Sequence, residues 1–151
     1  KKINFIFKVF IILNYRKKWY DEAWISQRLK SIDIRKELTS EWNQRWIKQW
    51  LEYAILTNEI LEGWSGMKTN EYKDFKWLKK ESLKDNMTNL ELALNILAEA
   101  TTTEIIKSDD SIWFEEVKVS SKKWGKIILK NCSITLIIYS FFIYSCKNII
   151  Y

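Results

Sequence analysis

The sequence predicts a mostly α-helical single domain of four or five helices with apolar, unassigned ends, on three observations. Apolar residues recur at three and four residue steps over several long stretches, a capping box precedes the clearest of them, and helix-breaking residues are nearly absent. Three glycines and no proline stand among 151 residues, of which 47% are hydrophobic, so the chain has little of the punctuation that turns normally need. That length suits one core.

Residues 1–14, "KKINFIFKVFIILN", form an apolar segment broken by Lys8. It is too short and too charged to span a bilayer, no cleavage-like pattern follows it, and it is left as a buried strand or helix. From Asp21 the helical signal is strong. Asp21 and Glu22 suit a helix N-terminus, Arg45 and Lys48 suit its end, and Ile25, Leu29, Ile32, Ile34, Leu38 and Trp42 mark an apolar stripe. The stripe changes register near Ser31 to Asp33, which allows a bend there.

A second helix fits "LEYAILTNEILEGW", with Leu51, Ala54, Ile55 and Leu61 on one side, ending at the "GWSG" loop of Gly63 and Gly66. A short third helix begins at Thr69 or Asn70 and carries Tyr72, Phe75 and Lys76. The most secure helix is "TNLELALNILAEATTTEIIK", opened by Thr88 and Glu91 as a capping box, with Leu90, Leu94, Leu97, Ala98, Thr101 and Ile105 facing the core. Three successive threonines are poor helix formers, so fraying beyond Ala100 is expected. The cluster "SDDS" then caps a helix over 112–123. The tail 127–151 contains "CSITLIIYSFFIYSC", fifteen uncharged residues at 132–146 between Lys130 and Lys147, below the roughly 20 that a spanning helix needs. Lysine snorkelling would let it hold a membrane surface.

The chemistry narrows by exclusion. With no histidine, the sequence has neither a Cys/His zinc pattern nor a Ser-His-Asp or Cys-His arrangement, and three scattered glycines make no phosphate loop. No catalytic residue, cofactor or metal ligand is assigned. The pairs Asp109–Asp110 and Glu115–Glu116 are adjacent and diverge on a helix. Cys132 and Cys146, without a secretory pattern, point to a reducing cytoplasmic setting, the alternative being a membrane-associated protein held by 132–146.

The net charge of +6 is uneven: twelve basic and five acidic groups in 1–50, seven and twelve in 51–110, six and two in 111–151. The candidate nucleic-acid contacts are Lys73, Lys76, Lys79, Lys80 and Lys84, interleaved with Phe75 and Trp77 as stacking partners. Glu71, Asp74, Glu81 and Asp85 lie among them, so surface ion pairing is the simpler account.

The pieces "RKELT-EW", "EYAILTNEI", "NEYK", "K-LK-E-L-D-MT-LEL" and "AEA-TTEI", in that order, resemble the C-terminal domain of phage and prophage antirepressor-type proteins, the Bro-type family that includes DNA-damage-inducible protein D. The resemblance covers residues 15–126. It implies a helical, non-enzymatic prophage regulatory or interaction module with a protein partner in phage regulation or the DNA-damage response, ordinarily preceded by a Bro-type DNA-binding domain. Arg35, Lys36, Glu37, Tyr53, Thr57, Glu59, Tyr72 and Asp85 match the pattern, and it assigns none of them a catalytic role.

The departures concern tryptophan. The family's pattern has glycine where this chain has Trp19, Trp46, Trp50, Trp77, Trp113 and Trp124, six of nine tryptophans. One base separates a glycine codon from UGG or UGA, and the resemblance lapses at both apolar ends. The implied reading is a truncated or decayed gene copy, with UGA codons read as tryptophan. Alternatively, the helices run through these positions and the tryptophans pack inward. Trp42, on the apolar stripe, is expected in the core.

Overall fold

The computed structural model describes the backbone of residues 2–48 and 50–130, and side chains from 5 to 123 except residue 49; the tail at 132–146, both cysteines and the Trp124 side chain lie outside them. Among the described residues the chain forms six α-helices: α1 (Lys2–Lys17), α2 (Glu22–Gln44), α3 (Leu51–Ser65), α4 (Thr69–Phe75), α5 (Asn89–Ser108) and α6 (Phe114–Lys130). A 3₁₀ turn, Lys84–Asn86, interrupts the link from α4 to α5. Packing is organised about α5, which lies against α2, α3 and α6; α3 also packs on α6, while α1 leans on α2 and α4 on α3.

Local chemistry accounts for the helix starts. Asp21 caps α2 by accepting from the Trp24 amide at 2.8 Å. Thr88 and Glu91 form the expected box ahead of α5: the Thr88 amide donates to Glu91 Oε2 at 2.6 Å, and the Glu91 amide to Thr88 Oγ1 at 3.3 Å. Glu116 accepts from the amides of Ile112 and Trp113 and opens α6. No break interrupts α2, because Ser31 is small enough to sit fully buried at the register change.

The core joins Ile25, Leu38 and Trp42 of α2 to Leu56 and Ile60 of α3, Tyr72 of α4, Leu92 and Ile106 of α5, and Val117 of α6. Two predicted faces are corrected. In α3 the buried residues are Leu56, Ile60, Leu61 and Trp64, while Leu51 and Ala54 are exposed. In α5 the buried stripe is Leu92, Asn95, Ala98, Glu99, Thr102, Thr103 and Ile106, and Leu97 is exposed. The helix also runs on through the threonines to Ser108, since Thr102 and Thr103 are buried and the Thr103 hydroxyl donates to the Glu99 carbonyl at 2.9 Å. Packing overrides weak propensity there. The described part of the segment 1–14, left open by sequence, lies within helix α1, which leaves Phe5, Ile6, Phe7, Phe10 and Leu13 exposed rather than buried.

The helix ends carry the least expected feature. Four tryptophans have positive φ: Trp19 (63°), Trp46 (59°), Trp50 (71°) and Trp77 (58°). Three occupy the left-handed position of the same closing motif. After α1 the Tyr20 amide donates to the Tyr15 carbonyl and Trp19 to Arg16; after α2 Ile47 donates to Trp42 and Trp46 to Asn43; after α4 Leu78 donates to Lys73 and Trp77 to Asp74, all within 2.9–3.3 Å. A bond spanning five residues around one spanning three defines the Schellman motif, whose left-handed residue is usually glycine. Asp110 holds the same place after α5, with Ser111 bonded to Ile106 and Asp110 to Lys107, and Gly66 ends α3 at φ 71°. Trp50, just before α3, has φ 71° and ψ −81°, the rare γ-turn region.

All four tryptophans point into solvent, between 86% and 95% exposed. The reading in which these side chains pack inward is therefore overturned at 19, 46, 50 and 77. Trp24, Trp42 and Trp64 are the buried ones, none more than 5% exposed, and Trp113 is exposed without positive φ. A side chain with a Cβ at positive φ costs on the order of 1 kcal/mol or more, and these four recover nothing by burial. Replacing Trp19, Trp46 or Trp77 by glycine is expected to raise unfolding stability by about 1 kcal/mol each, additively because the sites are separate. Trp42→Ala is expected to lower it by about 3–5 kcal/mol. Urea unfolding of the single and triple variants checks both signs.

Candidate functional site

Polar side chains from α2, α3, the link before α5 and α5 itself converge. Glu99 of α5 is 1% exposed, and its Oε1 receives Lys84 Nζ at 2.7 Å and Arg35 Nη1 at 3.2 Å. Arg35 also donates from Nη2 to Thr57 Oγ1 of α3 and lies 5.1 Å over the Trp42 ring. One buried carboxylate thus ties α2, α3 and the link before α5 together. Burial pushes the Lys84 ammonium below its ordinary value, with Glu99 acting against that and Arg35 adding to it.

Asp85 next door is a second node. Its Oδ1 accepts from Tyr15 Oη at 2.7 Å and Arg28 Nε at 2.8 Å, its carbonyl accepts from Tyr20 Oη at 2.7 Å, and Trp24 Nε1 donates to the Met87 carbonyl at 2.8 Å. Tyr15, Tyr20 and Trp24 pack on one another, with ring centroids 4.0–5.5 Å apart. Burial, with the hydrogen bond to Asp85, pushes the Tyr15 phenol up to about 12. The turn at Trp19 is thereby clamped onto the segment before α5.

A third node surrounds Glu91, which accepts from Tyr72 through Oε1 and from Lys76 Nζ at 2.9 Å through Oε2. Burial pushes the Glu91 carboxyl up, but the hydrogen bonds of Tyr72, Lys76 and the Thr88 amide hold it below its ordinary 4.5. Burial, then the nearby Glu91 charge, raises the Tyr72 phenol.

A cleft of about 600 Å³ opens beside the Arg35–Thr57 pair, lined by Arg35, Trp50, Tyr53, Ala54, Thr57, Asn58, Thr69 and Asn70. Its floor is ordered by hydrogen bonds: Asn58 Oδ1 accepts from the Thr69 amide at 3.1 Å and hydroxyl at 2.6 Å, and Tyr53 Oη donates to the Thr39 carbonyl at 3.2 Å. Guanidinium, amide and hydroxyl groups on a fixed frame suit a polar or acidic segment of a partner.

The five lysines proposed from sequence divide. Lys76 and Lys84 are engaged with Glu91 and Glu99, and Lys76 Nζ also donates to the Asn86 carbonyl at 3.0 Å. Lys73 is half-buried on α4, while Lys79 and Lys80 are exposed beyond it. Asp109 pairs with Lys123 and Ser120, so it is separated in role from Asp110, the closing residue of α5. Sequence reasoning passed over Glu99, Asn58 and Arg28 as partners. No local signal marks them, because their partners lie 11 to 64 residues away in sequence.

Comparison of the chain with protein-family models, with curated proteins and with solved structures gives no match.

Two outcomes test this arrangement. Removing the buried carboxylate with Glu99→Ala leaves Arg35 and Lys84 facing each other, and a loss of about 3 kcal/mol is expected, recovered in part by adding Arg35→Met and Lys84→Met. Glu91 tests pH dependence. Its folded pKa lies below its unfolded value, so its contribution is complete above 4.5 and is lost as the pH falls through the folded value. Glu91→Gln is expected to cost about 1–2 kcal/mol at neutral pH, and the difference from the parent should shrink below pH about 4.

Proposed function

We propose that this chain is a non-enzymatic regulatory interaction module of the antirepressor and DNA-damage-inducible class, and that it receives a polar segment of a protein partner in the cleft between α2, α3 and α4. The observation that supports the reading is convergence. The pieces that carry the resemblance supply Arg35, Tyr53, Thr57, Asn58, Asn70, Asp85, Glu91 and Glu99, and these take part in the polar nodes and the cleft wall beside them. In this reading DNA recognition belongs to a Bro-type domain, the family's usual companion to this region.

The test uses a repressor encoded in the same genomic neighbourhood and bound to its operator DNA. Adding the chain is expected to release the DNA, and Ala54→Arg, which fills the cleft from an exposed position, is expected to abolish release. No release by the parent chain, or equal release by Ala54→Arg, would contradict the reading.

A second reading is favoured by α1, whose exposed Phe5, Ile6, Phe7, Phe10 and Leu13 are flanked by Arg16, Lys17 and Lys18. Aromatic residues beside basic ones suit attachment to an anionic membrane surface. Among the described residues no helix is long and apolar enough to cross a membrane. Flotation with anionic vesicles is expected for the parent and lost in Phe7→Ser/Phe10→Ser; a parent that stays at the bottom of the gradient rules this reading out.

A further inference from the structure

Seven of the eight tryptophans with described side chains divide by backbone geometry as well as by burial; the eighth, Trp113, is exposed without positive φ. Trp24, Trp42 and Trp64 have ordinary helical backbone and buried rings, so the fold uses their side chains. Trp19, Trp46, Trp50 and Trp77 have φ between 58° and 71° and rings in solvent, so the fold uses only their backbone. Glycine meets that requirement without strain, and Gly66 meets it after α3.

The identity of the substitute narrows the cause. A single base change in a glycine codon gives arginine, serine, cysteine, aspartate, glutamate, alanine or valine far more often than tryptophan. Independent decay at four positive-φ sites would leave a mixture of these residues. Among the described residues five non-glycine positions have positive φ; Asp110 is of a type that tolerates that region, and the other four are all tryptophan. Four tryptophans at such sites point to one shared event, and UGA is the codon one base from GGA that different decoding systems assign differently. We infer that positions 19, 46, 50 and 77 are encoded by UGA, that the translation machinery of the source cell reads this codon as glycine, and that the protein made there carries glycine at all four. The gene is then intact at these sites, and its tryptophans are an effect of decoding rather than of mutation.

This inference rests on turn geometry and the genetic code, and it stands or falls independently of the regulatory reading above. It also sorts the remaining codons: Trp24, Trp42 and Trp64, whose rings fill the core, are encoded by UGG.

The experiment has two steps. The coding DNA is read at seven positions, and the protein isolated from the source cell is digested and its peptides spanning 19, 46, 50 and 77 are sequenced by tandem mass spectrometry. UGA at the four turn positions, UGG at the three core positions, and glycine in the four peptides are the expected results. UGG at any of the four turn positions, or tryptophan in the corresponding peptides whatever the codon, would overturn the inference.

Discussion

Four of the described helices, α1, α2, α4 and α5, depend on stopping at a particular residue, where the chain leaves the helix. The closing bonds after α1, α2, α4 and α5 have one pattern, five residues around three, and the pattern requires one left-handed residue inside it. After α1 that exit brings Tyr20 against Tyr15 and delivers both phenols to Asp85. After α2 it turns Ile47 into the core beneath Trp42. A helix that ran on by one turn would carry these side chains away from their partners. The architecture is therefore constrained more tightly by backbone sign at a few residues than by hydrophobic content, which the chain has in excess.

The second constraint is electrostatic. Glu99 sits where an apolar residue would be expected, and its two cations come from positions 64 residues before it and 15 residues before it. Buried ion pairs of this kind add little net stability against a hydrophobic alternative, but losing one partner is costly, so they favour one arrangement of the helices over others. Here the favoured arrangement brings α3 against α2 through Thr57 and Arg35, which fixes one wall of the polar cleft. The same groups thus order the fold and shape the polar cleft.

Local signals were legible in the sequence and long-range ones were not. Asp21 and the Thr88–Glu91 pair announced helix starts because a cap is complete within three residues. The core face of α5 was misplaced by following leucines, since nothing within the helix reveals that Asn95, Glu99 and Thr102 are buried while Leu97 is exposed. Lys76 and Lys84 read as paired with nearby surface carboxylates or as nucleic-acid contacts, because the carboxylates that engage them, Glu91 and Glu99, lie 15 residues further along each time. The threonine run looked weak by propensity and is held by packing. The tryptophans stand apart: at Trp19, Trp46, Trp50 and Trp77, four of the six positions where the resemblance expects glycine, the backbone takes positive φ.

The central claim is that the cost at these turns comes from the Cβ atom at positive φ, not from exposure of a large ring. Comparing Trp46→Gly with Trp46→Ala in denaturant unfolding tests it most directly, since both remove the indole and only one removes the Cβ. The account predicts that the glycine variant is the more stable by about 1 kcal/mol, with alanine close to the parent. Equal stability of the glycine and alanine variants would contradict it.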